Sequence, residues 1–210
     1  MVVALAEAPM LPGWRHSRWW VFGTMAGSGV VGLIAALVLS IDALELAAQP
    51  DRVLVCDINS VVSCGAVARS WQASLFGFPN AHLGLIAEPV VITIGVAGVG
   101  GTVFPRWFML AAQGVYTLGL ALAYWLFVQS LTQVGAVCPW CLLVTISTTA
   151  VWVSLTHHNL LENSFGLGFR AHQRALAALR QGADVAAVVL VLAVVVGAVL
   201  AVHGSAVFAG

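Results

Sequence analysis

The four cysteines of this chain fall into two pairs, and their spacing suggests thiol–disulfide chemistry. Cys56 and Cys64 have seven residues between them in a polar, acidic stretch. Cys138-Pro139-Trp140-Cys141 stands directly before an apolar run. Residues three apart on a helix share a face, so a bridge between Cys138 and Cys141 is sterically natural. Pro139 is preset for a first helical turn, which starts the helix at about Cys138. A helix N-terminus favours negative charge and makes Cys138 the better nucleophile or leaving group. An even count grouped as two pairs reads as disulfide chemistry in an oxidising compartment. Two structural readings compete, a zinc site and inert staples. Zinc ligands in an oxidising space would become disulfides, and a pair at the edge of the bilayer core has nothing flexible to staple.

The elements that must hold these residues are membrane helices. The chain is 61% hydrophobic and 8% charged over 210 residues, with mean hydropathy +1.01; a soluble domain carries about 25% charged residues. A net charge of zero leaves no footprint for nucleic acid. A spanning helix needs about 20 mostly apolar residues, and five runs qualify, at about 19–40, 80–101, 107–130, 138–156 and 185–202. The first is longer than the roughly 7 to 15 apolar residues of a cleavable signal peptide, so it is expected to remain as a span. The expected fold class is an all-α membrane protein, a four-helix transmembrane bundle with a fifth transmembrane helix, in one domain over residues 1–210.

Arginine sets the expected orientation. With the N-terminus inside, Arg15, Arg18, Arg106, Arg170, Arg174 and Arg180 are cytoplasmic and only Arg52 and Arg69 are external, as the positive-inside rule requires. All four cysteines then lie outside, two of them in the one long external loop, 41–79. Eight Arg and no Lys, with abundant Ala, Val and Gly, suggest a GC-rich bacterial genome and hence the bacterial cytoplasmic (inner) membrane. Spans two and three, joined by a tight turn at Gly100, Gly101 and Pro105, should pack as an antiparallel pair. Ala171 to Leu179, with Arg170, Arg174 and Arg180, reads as an amphipathic interfacial helix.

The run Cys56-Asp57-Ile58-Asn59-Ser60-Val61-Val62-Ser63-Cys64, then Ser70-Trp71, then Asn80-Ala81-His82-Leu83-Gly84, then Cys138-Pro139-Trp140-Cys141, resembles the vitamin K epoxide reductase family, its bacterial members in particular, over about residues 15–156. The resemblance implies a four-helix bundle around a quinone: menaquinone, ubiquinone or a vitamin K-like quinone. It implies that Cys141 faces the quinone, that Cys138 exchanges with the loop pair through Cys64, and that Cys56 meets the outside thiol protein. Asn80 matches the position that hydrogen-bonds a quinone carbonyl, and Ser70 a loop residue that helps cap the pocket. Thr145 stands one turn after Cys141, where vertebrate members place a tyrosine, so the resemblance points to quinone rather than epoxide reduction. Bacterial relatives often carry a fused thioredoxin-like domain. None follows the fifth span, so the expected partner is a separate extracytoplasmic thioredoxin-fold, DsbA-like protein. The expected activity is that of a membrane thiol:quinone oxidoreductase supporting disulfide formation. The alternative from a different class is a non-enzymatic membrane metal-binding or transport protein with the four cysteines as ligands.

Other residues admit plainer roles. Asn80 is also a good helix N-cap. His82 could relay protons to a reduced quinone or simply hydrogen-bond at the interface. Glu88, before Pro89, is the one carboxylate well inside a span. Trp14, Trp19, Trp20 and Trp107 suit an interfacial belt, while Trp71, Trp125 and Trp140 lie nearer the proposed pocket. Gly23, Gly27 and Gly119 read as helix-packing positions. His157 and His158 read as solvated.

Overall fold

Apolar content decides where the long helices run, and polar side chains set their ends. The structure is a computed structural model that describes residues 11–207. Five helices are long and apolar enough to cross a membrane: α1 (Arg18–Ala48), α3 (Ala81–Val99), α4 (Arg106–Gln129) with its π-helical continuation Ser130–Val134, α5 (Pro139–Leu161), and Ala183–Val202 within α7 (Ala183–Val207). Among the described residues there are also two shorter α-helices, α2 (Cys64–Ala68) in the long loop and α6 (Phe169–Arg180) between α5 and α7, and 3-10 turns at Trp14–His16 and Trp71–Ser74. The all-α membrane architecture expected from the sequence is the one observed.

Two boundaries differ from the sequence reading. The apolar run of α1 ends at Ser40, but the helix continues to Ala48. Leu46 is the reason: it is buried in a cluster with Leu54, Cys64 and Cys138, so the last two turns are held by the external loop. Asp42 and Glu45 therefore stand on helix, not in the loop. The second difference concerns the tight turn. Gly101, at φ 93°, makes the reversal that a side chain would strain, yet α3 and α4 hardly pack against each other. Instead α3 lies along α1, and α4 along α5, which itself packs on α1. Small residues explain the choice. A Cβ at Gly95 would lie 2.7 Å from Ala26 Cβ, and one at Gly84 the same distance from Ala36 Cβ. Close backbone approach of this kind replaces the hydrophobic drive that membranes lack.

Gly23, Gly27 and Gly119, the positions the sequence suggested for packing, have no neighbour within 4 Å of a built Cβ. Gly29 and Gly32 take that role and make room for a polar group. A Cβ at Gly32 would sit 2.7 Å from Glu88 Oε1 and 2.9 Å from Ser147 Oγ. Glu88 is buried and accepts a hydrogen bond from the Tyr116 hydroxyl at 3.0 Å, which links α3 to α4 across their wider separation.

Candidate active site

The site is built on one parallel bridge, Val62 with Val137. The Val137 amide donates to the Val61 carbonyl at 2.7 Å, and the Ser63 amide donates to the Val137 carbonyl at 3.2 Å. A helix starts just beyond the bridge on each side. Ser63 caps α2 by accepting from the Ala66 amide at 3.0 Å. Cys138 occupies the cap of α5, with Pro139 in the first turn and its own sulfur accepting the Cys141 amide at 3.3 Å. The bridge thus delivers Cys64 and Cys138 to the same point.

Cys56 and Cys64 form a disulfide, and Cys138 Sγ lies 3.3 Å from Cys64 Sγ. Cys64 and Cys138 are buried, while Cys56 and Cys141 are half-buried. A sulfur this close to a disulfide is in reach of the exchange reaction, in which a thiolate attacks one sulfur and the other departs. Hydrogen bonding from the Cys141 thiol, then from the Cys141 and Trp140 amides, outweighs burial and holds Cys138 below the ordinary thiol range. That favours the thiolate, which is both the nucleophile and the better leaving group.

Asp57 knots the loop that presents Cys56. Its carboxylate accepts from the Ser63 hydroxyl at 2.7 Å, the Gly65 amide at 2.8 Å and the Leu54 amide at 2.9 Å. Burial pushes this carboxyl up, but the hydrogen bonds from Gly65, Leu54 and Ser63 prevail and hold it below its ordinary value of 3.8. Asn59 adds a tight turn by accepting the Val61 and Val62 amides at 2.9 and 2.8 Å. Arg69 donates to the carbonyls of Pro50 and Arg52 at 3.1 and 2.7 Å. The loop therefore carries its cysteines over the bundle mouth as a hydrogen-bonded lid.

The remaining candidates surround this mouth without touching the sulfurs. Asn80 precedes α3 but its side chain does not cap it; it donates to the Gln72 carbonyl at 2.6 Å and accepts the Leu75 amide at 3.2 Å, closing the segment between. The Ser70 hydroxyl donates to the Val67 carbonyl at 2.6 Å. The His82 ring stacks on Phe78 at 6.3 Å between centroids. Thr145 is buried, donates to the Cys141 carbonyl at 2.9 Å, and lines a narrow cleft with Tyr124, Thr149 and the α7 residues Val188 and Val191. Trp71 meets Trp125 edge-on at 6.1 Å, joining the loop to α4. Asp42 is new to this group: its Oδ2 lies 4.0 Å from Cys56 Sγ.

At the opposite end the structure corrects the sequence reading. His157 is 3% exposed, not solvated. Its Nδ1 lies 2.9 Å from Asp184 Oδ2, its Nε2 lies 3.1 Å from His16 Nδ1, and Arg15 donates to Asp184 Oδ1 at 2.7 Å. The His158 ring packs on Phe22 in a tilted arrangement, 4.9 Å between centroids. This network ties the first turn of α7 to α5 and to the segment before α1. No periodic pattern announces it; a histidine just past a span and an Asp opening the next one were its only signals.

A model described as "Vitamin K epoxide reductase family" matches residues 23–156, from α1 to near the end of α5. No curated protein matches the chain.

Proposed function

Because this chain belongs to the vitamin K epoxide reductase family, we propose that it reoxidises a thioredoxin-fold, DsbA-like thiol protein outside the cytoplasm and passes two electrons to a quinone. The family consists of multi-pass membrane oxidoreductases that couple thiols to quinone, and five apolar helices fit this chain to that description. One observation carries the finer reading: Cys138 Sγ lies 3.3 Å from a sulfur of the Cys56–Cys64 disulfide. That order of sulfurs supports a relay with Cys56 outermost and Cys141 innermost.

The partner's thiolate attacks Cys56, and the electron pair of the Cys56–Cys64 bond leaves on Cys64. Cys64 then attacks Cys138 of an oxidised Cys138–Cys141 pair, and Cys141 departs as the thiolate. The partner's second thiolate displaces Cys56 from the mixed disulfide, and Cys56 attacks Cys64 and releases Cys138, which leaves the partner and the loop pair oxidised and the Cys138–Cys141 pair reduced. Val53, Val55 and Ile58 are 76%, 105% and 71% exposed beside half-buried Cys56, which supports docking of an apolar partner surface there. On the inner side, Asn80 keeps one amide hydrogen free after its bond to Gln72, enough to donate to a quinone carbonyl. The separation of α3 from α4 supports entry from the bilayer, with Ser70, His82, Trp71 and Thr145 around the mouth. A quinone bound there takes up the two electrons and two protons that the thiols release. Six arginines at the end opposite the cysteines support a cytoplasmic N-terminus and an inner-membrane location.

The test is direct. Purified chain, given a reduced thioredoxin-fold protein, should reduce a soluble quinone analogue with one disulfide formed per quinol. Thiol oxidation without quinol, or a stoichiometric metal held by the cysteines in place of turnover, would overturn the reading.

A further inference from the structure

We propose that Asp42 is the acid–base group of the loop pair, exchanging a proton with Cys56 as the Cys56–Cys64 bond opens and closes. The inference rests on the relay reading of that pair and adds a residue to it. Asp42 enters the site only because α1 runs two turns beyond its apolar run, which places Asp42 Oδ2 4.0 Å from Cys56 Sγ. Asp42 Oδ, Cys56 Sγ and Cys64 Sγ all lie within 4.8 Å of one another. The neighbouring charged groups Asp57, Glu45 and Arg69 are committed elsewhere, and Asp51 is exposed. Asp57 is held by Leu54, Ser63 and Gly65, Glu45 pairs with Arg52 at 3.0 Å, and Arg69 is spent on backbone carbonyls. Asp42 is half-exposed, so it can trade its proton with external water.

The chemistry needs such a group at this sulfur. When the loop pair closes, the Cys56 thiol proton moves to the Asp42 carboxylate. The Cys56 sulfur forms a bond to Cys64, the Cys64–Cys138 bond breaks, and its electron pair leaves on Cys138, where the start of α5 receives it. One disulfide replaces another, so no electrons are gained or lost, and the proton goes from Asp42 to water. In reverse, Cys138 attacks Cys64 and the protonated Asp42 supplies the proton to departing Cys56. A free thiol titrates near pH 8.5, so below that value an unassisted Cys56 is a poor nucleophile and a poor leaving group. Positioned acid–base groups contribute about 10²- to 10⁴-fold to such steps.

The experiment uses neither quinone nor partner, so its outcome is separate from theirs. In full-length Cys141→Ala protein, Cys138 can only attack Cys64 and release Cys56. Excess alkylating reagent captures the released thiol, and peptide mapping identifies Cys56 as the labelled site with Cys64 joined to Cys138. Where the labelling rate no longer rises with reagent, it equals the opening rate. Adding Asp42→Asn should slow opening about tenfold near pH 6, with the gap closing toward about pH 9, where the leaving thiolate needs no proton. Asp42→Glu should restore part of the rate. Equal rates at every pH, or a slowing that is constant with pH, would refute the assignment, since a purely structural change has no reason to follow thiol ionisation. If Cys56 is never labelled even with Asp42 present, the relay fails and the role of Asp42 fails with it.

Discussion

The two ends of the bundle solve opposite problems with polar groups. At the cysteine end, hydrogen bonds hold backbone: Asp57, Asn59 and Arg69 fix a loop so that Cys64 Sγ sits 3.3 Å from Cys138 Sγ. At the arginine end, side chains bind one another: Arg15, Asp184, His157 and His16 form a partly buried chain of contacts that joins three elements and contains no cysteine. The family match covers the first end and stops at residue 156, just before His157. Polar burial in a membrane protein is thus informative by what it satisfies. Where it satisfies backbone around a reactive atom it positions chemistry, and where it satisfies itself it fastens helices.

The comparison breaks most sharply if chemistry can be removed without disturbing structure. Cys141→Ala should abolish quinone reduction even with a small dithiol as donor, whereas Cys56→Ala should block the protein donor and spare the small dithiol that reaches Cys138 directly. Residual turnover above a few per cent in the first variant would remove Cys141 from the quinone side. Both variants should also accumulate a Cys64–Cys138 disulfide, because each lacks the cysteine that resolves it. Nonreducing peptide maps after rapid alkylation decide this, and a Cys56–Cys138 bond in the Cys141→Ala protein would reverse the order of the loop pair.

What the sequence made legible follows the same division. The placement of the cysteines was readable because its signals are local: spacing, a proline in the first helical turn and a nearby acidic loop are all sequence properties. The spans were readable because hydropathy is additive along the chain. What escaped depends on distant partners. Asp42 looked like the end of a span, since nothing local shows that Leu46 would be buried against Leu54 and Cys138. The turn at Gly101 suggested that α3 and α4 pair, but complementarity of small residues on α1 and α3 outweighed proximity in sequence. His157 looked solvated because its partners, His16 and Asp184, come from positions 141 residues before it and 27 after it.

Gly65→Ala sharpens the comparison at the cysteine end. A Cβ there would lie 2.6 Å from Asp57 Oδ2 and 2.6 Å from the Arg69 guanidinium, so the knot must shift. Overpacking of this kind costs about 1–3 kcal/mol; spent on loop placement alone, it should lower partner-driven turnover about tenfold. Melting of the bundle should move little, which thermal unfolding in detergent reads. At the arginine end the pattern should invert. His157→Phe leaves a carboxylate oxygen of Asp184 and His16 Nδ1 without their partner, at a cost of about 1–3 kcal/mol, and should lower the melting temperature. The rate of exchange between Cys64 and Cys138 should stay unchanged. A loss of exchange in His157→Phe would mean the two ends are coupled.

The smallest expected effect separates the ends by pH. Burial first, then the neighbouring His157, Arg15 and Arg180, lower the His16 pKa from its ordinary 6.5, with Asp184 opposing. A group with a depressed cationic pKa binds its proton more readily in the unfolded chain, so its contribution to stability is present above 6.5 and is lost as pH falls from there toward the folded value. Asp57 has the opposite chemistry and a lower window. Its depressed carboxyl stabilises the loop above 3.8 and loses that contribution only as pH falls from there through the folded value. Between about pH 7 and pH 5, then, the first turn of α7 should open more often while the loop from Leu54 to Gly65 should not. Hydrogen exchange of the two segments, corrected for the intrinsic pH dependence of amide exchange, measures this directly. His16→Phe should abolish the difference at α7, and loosening of the loop over the same range would show that the knot at Asp57 does not hold it independently.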